Sequence, residues 1–249
     1  MITLQNIQKV FNKGEVNEVC ALNDVSLTIQ RGEYLVLVGS NGSGKTTLLN
    51  VISGAENVTS GKVLFENNDV TKLPEYKRSQ WIARVFQNPL SGTAPDLSIL
   101  DNFRLAALRT ESKKPVIGVK AAFKKLVQDR ISTLGMGLEN KVEQAMGTLS
   151  GGQRQALTLL MSVMDHTDIL LLDEPTAALD PRSAKIILET ADALIKQYKL
   201  TAVLITHNLR DAHQYGSRII QMAEGKVLKD MDAPAKNELQ LQDMFAWFS

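Results

Sequence analysis

The chain has 249 residues, 44% hydrophobic and 22% charged, which excludes a disordered or fibrous protein. At roughly 150 residues per domain, this length predicts one large domain or one domain with a sizeable insertion. With 28 basic and 27 acidic residues the net charge is +1, so the basic excess that marks a nucleic-acid binder is missing, and Cys20, the only cysteine, excludes an internal disulfide and argues against a cysteine-based zinc site.

Met1–Val10 alternates polar and apolar residues and lacks the long apolar run of a signal peptide. Ile2–Val10 therefore reads as a strand with alternating faces, followed by a strand including Val25–Ile29 and a turn at Arg31-Gly32-Glu33. Tyr34–Val38 is continuously apolar, the pattern of a strand buried on both faces. A glycine-rich loop follows, then a helix over Thr46–Ser53 that ends at Gly54. Gly61–Phe65 reads as a short strand closed by the Asn67-Asn68-Asp69 turn, and Ala83–Phe86 as a strand leading into Gln87.

From about Leu97 to Met146 the spacing turns helical (Phe103, Leu105, Ala106, Leu108; then Phe123, Leu126, Val127, Ile131, Leu134), which predicts an inserted helical subdomain. Strand and helix then alternate through Ile169–Asp173, Pro181–Lys199, Thr201–Thr206, Leu209–Tyr215 and Arg218–Met222, the signature of an α/β sheet with a largely parallel core. The longest apolar strings, such as Ile169–Leu172 and Ala202–Ile205, are strand-sized, well below the about 20 residues of a spanning helix. The expectation is a soluble protein of a reducing compartment that serves any membrane through a partner.

Gly39-Ser40-Asn41-Gly42-Ser43-Gly44-Lys45-Thr46-Thr47 fits the phosphate-binding pattern G-x-x-x-x-G-K-[ST] and lies between a buried strand and a helix. Its glycines allow successive backbone N–H groups to face one anion, and the helix start adds its dipole. Lys45 is suited to the β- and γ-phosphates, and Thr46 offers a hydroxyl to Mg²⁺. In Ile169–Glu174 an apolar strand ends in two acids at the sheet edge where ligands bind. Asp173 is the candidate for the Mg²⁺ shell, and Glu174 for orienting or deprotonating the attacking water. Leu149-Ser150-Gly151-Gly152-Gln153 is a second glycine-rich turn opening a second helix, hence another anion-binding helix start.

With these motifs in this order the chain resembles, over essentially its whole length, the ATP-binding-cassette ATPases, the nucleotide-hydrolysing subunits of ABC transporters. The resemblance implies an α/β fold: a P-loop NTPase (RecA-like) core with a mostly parallel sheet, an N-terminal antiparallel β subdomain and an inserted α-helical subdomain. All of 1–249 would form one ATPase domain, with about 1–96 and 165–249 as catalytic core and about 97–164 as the helical subdomain carrying the signature. It also implies ATP and Mg²⁺ as cofactors. Gly39–Thr47 matches the Walker A loop, Asp173-Glu174 the Walker B acid and catalytic glutamate, and Ser150, Gly151, Gly152 and Gln153 the signature that reaches the γ-phosphate held by a second subunit. Gln87 matches the glutamine that touches Mg²⁺ and the attacking water, and Ala178-Leu179-Asp180 the D-loop at the dimer seam. His207 matches the switch histidine, and Phe11 the aromatic that stacks on adenine, against a bland reading of Phe11 as a core side chain.

The implied partners are a second copy or a homologous ATPase subunit, a transmembrane permease and an extracytoplasmic substrate-binding protein, with no nucleic acid, at the cytoplasmic face of the membrane. Phe11–Gly14, Gly92–Pro95, Thr206–Leu209 and Gly216–Arg218 resemble a bacterial importer subgroup whose permease and binding lipoprotein are assigned to tryptophan or tyrosine. An exporter or lipoprotein-release ATPase would carry the same motifs. A soluble ATPase acting on nucleic acid or ribosomes usually has two cassettes or long insertions, which this chain lacks. His166 and His213 read as surface or helix-end residues, and Lys113-Lys114 and Lys124-Lys125 as solvated faces of the helical insertion, with a face toward lipid headgroups as the alternative. Met161, Met164 and Met222 read as core filling, and the apolar Leu239, Leu241, Met244, Phe245, Trp247 and Phe248 as a tail docked on its own domain, with a dimer contact as the alternative.

Overall fold

The computed structural model describes residues 1–110 and 120–247; Lys113, Lys114 and Phe248 lie outside them. In chain order the elements begin with β1 (Ile2–Phe11), β2 (Val19–Ile29), β3 (Tyr34–Val38), α1 (Lys45–Ser53), β4 (Ser60–Phe65) and β5 (Asn68–Asp69). They continue with α2 (Glu75–Arg78), β6 (Ile82–Val85), α3 (Ile99–Ala107), α4 (Ala121–Ser132), α5 (Gly151–Ser162), β7 (Ile169–Asp173) and α6 (Pro181–Tyr198). The last are β8 (Thr201–Ile205), α7 (Leu209–Gln214), β9 (Arg218–Ala223), β10 (Lys226–Met231), α8 (Ala233–Glu238) and α9 (Leu241–Phe245).

The apolar strands assemble in the order β10-β9-β3-β8-β7-β6, parallel except for the β9–β10 hairpin at one edge. A second sheet, β2-β1-β4-β5, is antiparallel throughout. This is the mixed α/β architecture expected of a P-loop NTPase. The continuous apolar run of β3 is explained by its two faces. Val36 and Val38 pack into a core with α3, α4, α5, α6 and α7, whereas Leu35 and Leu37 pack into a core with α1 and the antiparallel sheet. Burying each such side chain contributes about 1.5–3 kcal/mol, so these layers fix the sheet that carries the site.

Most expected elements form with boundaries moved by a residue or two, and the differences have local causes. The strand expected at Val25–Ile29 starts at Val19, because it pairs with β1 out to Phe11. The helical stretch expected up to Met146 stops at Ser132: Gly135 and Gly137 both have positive φ, 63° and 68°, and the chain continues as irregular structure. Phe103, Val127 and Ile131 are fully buried as the spacing requires, but Leu105 and Leu126 are exposed. Met161 and Met222 are buried, and Met164 packs against the core. His166, His213 and Lys125 are exposed, and Lys124 is half-buried, its amine paired with Glu143. The apolar tail docks on its own chain through Leu239 and buried Met244, while Phe245 stays 56% exposed.

Candidate functional site

Because β3, β6, β7 and β8 run parallel, the loops after them emerge on one edge of the sheet, where open α/β sheets bind ligands. These loops supply residues 39–44, Gln87, Glu174 and His207 respectively. An open cleft of about 830 Å³ gathers Asn41, Gly42, Ser43, Gly44, Lys45, Thr46, Thr47, Gln87, Glu174 and His207, with Phe11, Val19 and Ala21 from the antiparallel sheet on its other wall. Phe11 is half-buried at the end of β1, with the Lys9 amine 4.5 Å from its ring centroid.

The loop before α1 is shaped for an anion. Gly44 is the N-cap of α1 at φ 98°, and no side chain caps the helix, so its first N–H groups are not satisfied by a side chain. A Cβ on Gly44 would stand 2.5 Å from the Ala21 carbonyl oxygen, so the conformation and the space both demand glycine. Lys45 Nζ donates to the carbonyls of Gly39 at 2.7 Å and Ser40 at 2.9 Å and to Ser43 Oγ at 3.3 Å. Burial pulls the Lys45 amine below its ordinary pKa, and the charges of Glu174 and Asp173 pull it back up.

At the end of β7, Glu174 takes a left-handed backbone conformation, φ 45°, with its N–H on the Ile205 carbonyl. Its Oε2 lies 3.3 Å from His207 Nδ1 and 3.5 Å from Gln87 Nε2. One carboxylate thus meets a side chain from each neighbouring strand end. Behind it, Asp173 is buried, and its Oδ1 accepts from Thr46 Oγ1 at 3.1 Å. Thr46 and Asp173 converge as hard oxygen donors, a set that suits Mg²⁺, which keeps several waters and takes one or two protein oxygens. Among the described residues no group of three or more His, Cys, Asp or Glu gathers into a dedicated metal cage.

Ser150, Gly151, Gly152, Gln153 and Asp180 do not line this cleft. Ser150 caps α5, its Oγ accepting from the Gln153 N–H at 3.3 Å while Gln153 Oε1 accepts from the Ser150 N–H at 3.1 Å. Asp180 caps α6 through the N–H groups of Arg182 and Ser183. The Ser183 hydroxyl and the two N–H groups hold its carboxyl below the usual range. A Cβ on Gly152 would lie 2.7 Å from Ser183 Oγ, so the starts of α5 and α6 abut.

Two residues the sequence reading passed over tie these parts together. Arg84 on β6 reaches Asp173 Oδ2 at 2.7 Å and Asn50 Oδ1 at 2.6 Å. Gln155 on α5 is buried and donates to the Phe86 carbonyl at 2.8 Å, joining α5 to the strand end before Gln87. Arg84 left a signal: a charge between Ala83 and Val85 in a buried strand requires a partner.

The family described as ABC transporter matches residues 22–177. This chain belongs to that family. It is therefore an ABC ATPase, and ABC ATPases bind ATP. A tyrosine transport ATP-binding protein of Clostridioides difficile (strain R20291) is 35% identical, aligned over 100% of this chain and 98% of its own length. The sulfate/thiosulfate import ATP-binding protein CysA of Escherichia coli (strain K12) is 33% identical over 94% of this ATPase, which spans 60% of that protein's length. Among solved structures, the dimeric post-hydrolysis state of the ATP-binding cassette MJ0796 bound to ADP and Pi superposes with a TM-score of 0.81 at 28% identity. It covers 94% of this ABC ATPase and 99% of its own chain. No helix among the described residues is long and apolar enough to cross a membrane.

Proposed function

We infer that this ATPase pairs with a second copy or a homologous subunit around two ATP molecules and drives uptake of an aromatic amino acid, tyrosine or tryptophan, through a separate permease. The observation that carries the catalytic part is the Glu174 carboxylate, which faces the phosphate loop with Gln87 and His207 at its Oε2. The N–H groups at the start of α1 and Lys45 bind the β- and γ-phosphates of ATP, and Phe11 stacks on adenine. Residues 39–47 form the cradle around them. Thr46, Asp173 and Gln87 hold Mg²⁺, which supplies neutralisation of the phosphate charge. Glu174 holds the attacking water and takes its proton at the carboxylate, and His207 senses the γ-phosphate.

Ser150, Gly151, Gly152 and Gln153 at the start of α5, in the helical subdomain (about 97–164), and Asp180 at the start of α6 complete the site of the second subunit. Loss of the γ-phosphate removes the contacts that close the seam, a ligand-biased two-state element. The 35% identical tyrosine transport relative, aligned end to end, supports the cargo; the place on the cytoplasmic face, beside a permease fed by an extracytoplasmic binding protein, follows from the resemblance to the importer subgroup.

Glu174→Gln tests the catalysis. Turnover should fall by about two to three orders of magnitude while ATP binding persists and an ATP-bound dimer accumulates on size exclusion. Unchanged hydrolysis rejects the role. The cargo is tested by purifying the ATPase with its permease and binding protein and titrating the latter with tyrosine and tryptophan; binding of neither rejects the assignment.

A further inference from the structure

Asp173 is gripped at both oxygens, and the second grip comes from a residue outside every motif. Arg84 Nη2 stands 2.7 Å from Asp173 Oδ2 in an ion pair whose side chains are 11% and 7% exposed. Its Nη1 stands 2.6 Å from Asn50 Oδ1, and the guanidinium lies over the Phe86 ring at 4.6 Å. Asn50 lies four residues after Thr46, so both occupy one face of α1. The contacts therefore close into a ring: Arg84 to Asp173, Asp173 Oδ1 to Thr46 Oγ1, along α1 to Asn50, and back to Arg84.

The planar fork presents a separate nitrogen to a carboxylate on β7 and to an amide on α1 in one fixed geometry, whereas a lysine would serve both from a single freely rotating nitrogen. Taking both charges of such a pair out of water costs several kcal/mol, so the pair adds little stability over an apolar pair of equal volume. What it does add is geometry. With Oδ2 occupied by Arg84, the carboxylate cannot rotate, and Oδ1 stays beside Thr46. We propose that Arg84 is a positioning residue for the divalent cation that accompanies ATP: it locks Asp173 so that Oδ1, and not Oδ2, faces the metal beside Thr46 Oγ1. This rests on the reading of Thr46 and Asp173 as the metal-side pair.

The test measures binding, not turnover. A non-hydrolysable ATP analogue is titrated by calorimetry with Mg²⁺ and with EDTA, and the ratio of the two affinities isolates the contribution of the metal. Arg84→Met should lower that ratio on the order of tenfold, the size of effect that partners of metal ligands exert, and leave the affinity in EDTA within about twofold. Arg84→Lys, which keeps the charge but loses the fork, should lower it roughly threefold and carries the test if Arg84→Met does not fold. A merely structural role for Arg84 would lower thermal stability and leave the ratio unchanged, which overturns the proposal. Asp173→Asn separates the two levels. If it spares the ratio, the metal-side reading and the proposal fail together; if it collapses the ratio while Arg84→Met spares it, only the proposal fails.

Discussion

Two glycine-rich turns open helices in this molecule, and they leave those helices in opposite chemical states. At α1 the N-cap is Gly44, and no side chain meets the first N–H groups. At α5 the N-cap is Ser150, and the Ser150–Gln153 box satisfies the third N–H of the helix and its own backbone. Both turns look alike as sequence, small and glycine-rich before a helix. The first leaves its helix start open to the cleft of the same chain, with Lys45 behind it. The second satisfies part of its own start and leaves the N–H groups of Gly151 and Gly152 as the donors that the capping box does not use. The difference suits a site made of unequal halves: one that binds nucleotide by itself, and one that adds to it only when brought against another subunit.

The largest effect should come from the uncapped half. Lys45→Met removes the one cation in the cradle, and ATP affinity should fall on the order of a hundredfold, since a charge-assisted hydrogen bond contributes about 1.5–3 kcal/mol. Retained affinity by calorimetry would break the comparison, because the loop would then bind without its charge. The next effect concerns how tightly the second half is built. A Cβ at Gly152 would meet Ser183 at 2.7 Å (Oγ) and 2.8 Å (Cβ), whereas at Gly151 the nearest atom is Leu179 Cδ2 at 3.5 Å. Gly152→Ala should therefore destabilise by about 1–3 kcal/mol in urea, and Gly151→Ala by at most about 0.5 kcal/mol. Equal losses would mean that α5 does not rest on α6 at this point. At the low end of the Gly152 range lies Ser150→Ala, which should cost about 1 kcal/mol of stability as a lost cap. It should leave ATP affinity of the single chain unchanged, because Ser150 does not line that cleft.

The contrast also explains what was legible in the sequence. The loop before α1 announces itself because backbone geometry there needs glycine at fixed spacing between an apolar strand and a helix, and all three features are local. The acids ending β7 are legible for the same reason. The capping box was visible as Ser150 with Gln153 three residues on, yet the glycines between them drew the reading toward anion binding alone. Arg84 and Gln155 act across the fold: their partners Asp173 and Phe86 lie 89 and 69 residues away in sequence, and no periodicity relates them. Leu105 and Leu126 show a different limit. They share the helical spacing of Phe103 and Val127, but which apolar side chains meet solvent is set by how α3 and α4 pack, which spacing does not encode.

A third helix end extends the comparison and carries the smallest effect. Just past the carboxyl end of α7, a side chain of the same chain meets the carbonyls that follow the helix: Lys236 Nζ donates to that of the C-cap Tyr215 and, at 2.9 Å, to that of Gly216. A cation is the natural complement of that end of a helix, as an anion is of the start of α1. Lys236 is buried, and desolvation pushes its pKa down to about 8. The folded value lies below the ordinary lysine value, so between about pH 8 and the unfolded pKa the unfolded chain binds the extra proton, and this group makes stability rise with pH. Lys236→Met removes the titration along with both hydrogen bonds. The melting temperature of the parent protein minus that of Lys236→Met should therefore increase as pH is raised through this window. A difference that stays flat would mean that the amine titrates as an exposed lysine does, and that the end of α7 is not satisfied by a buried charge.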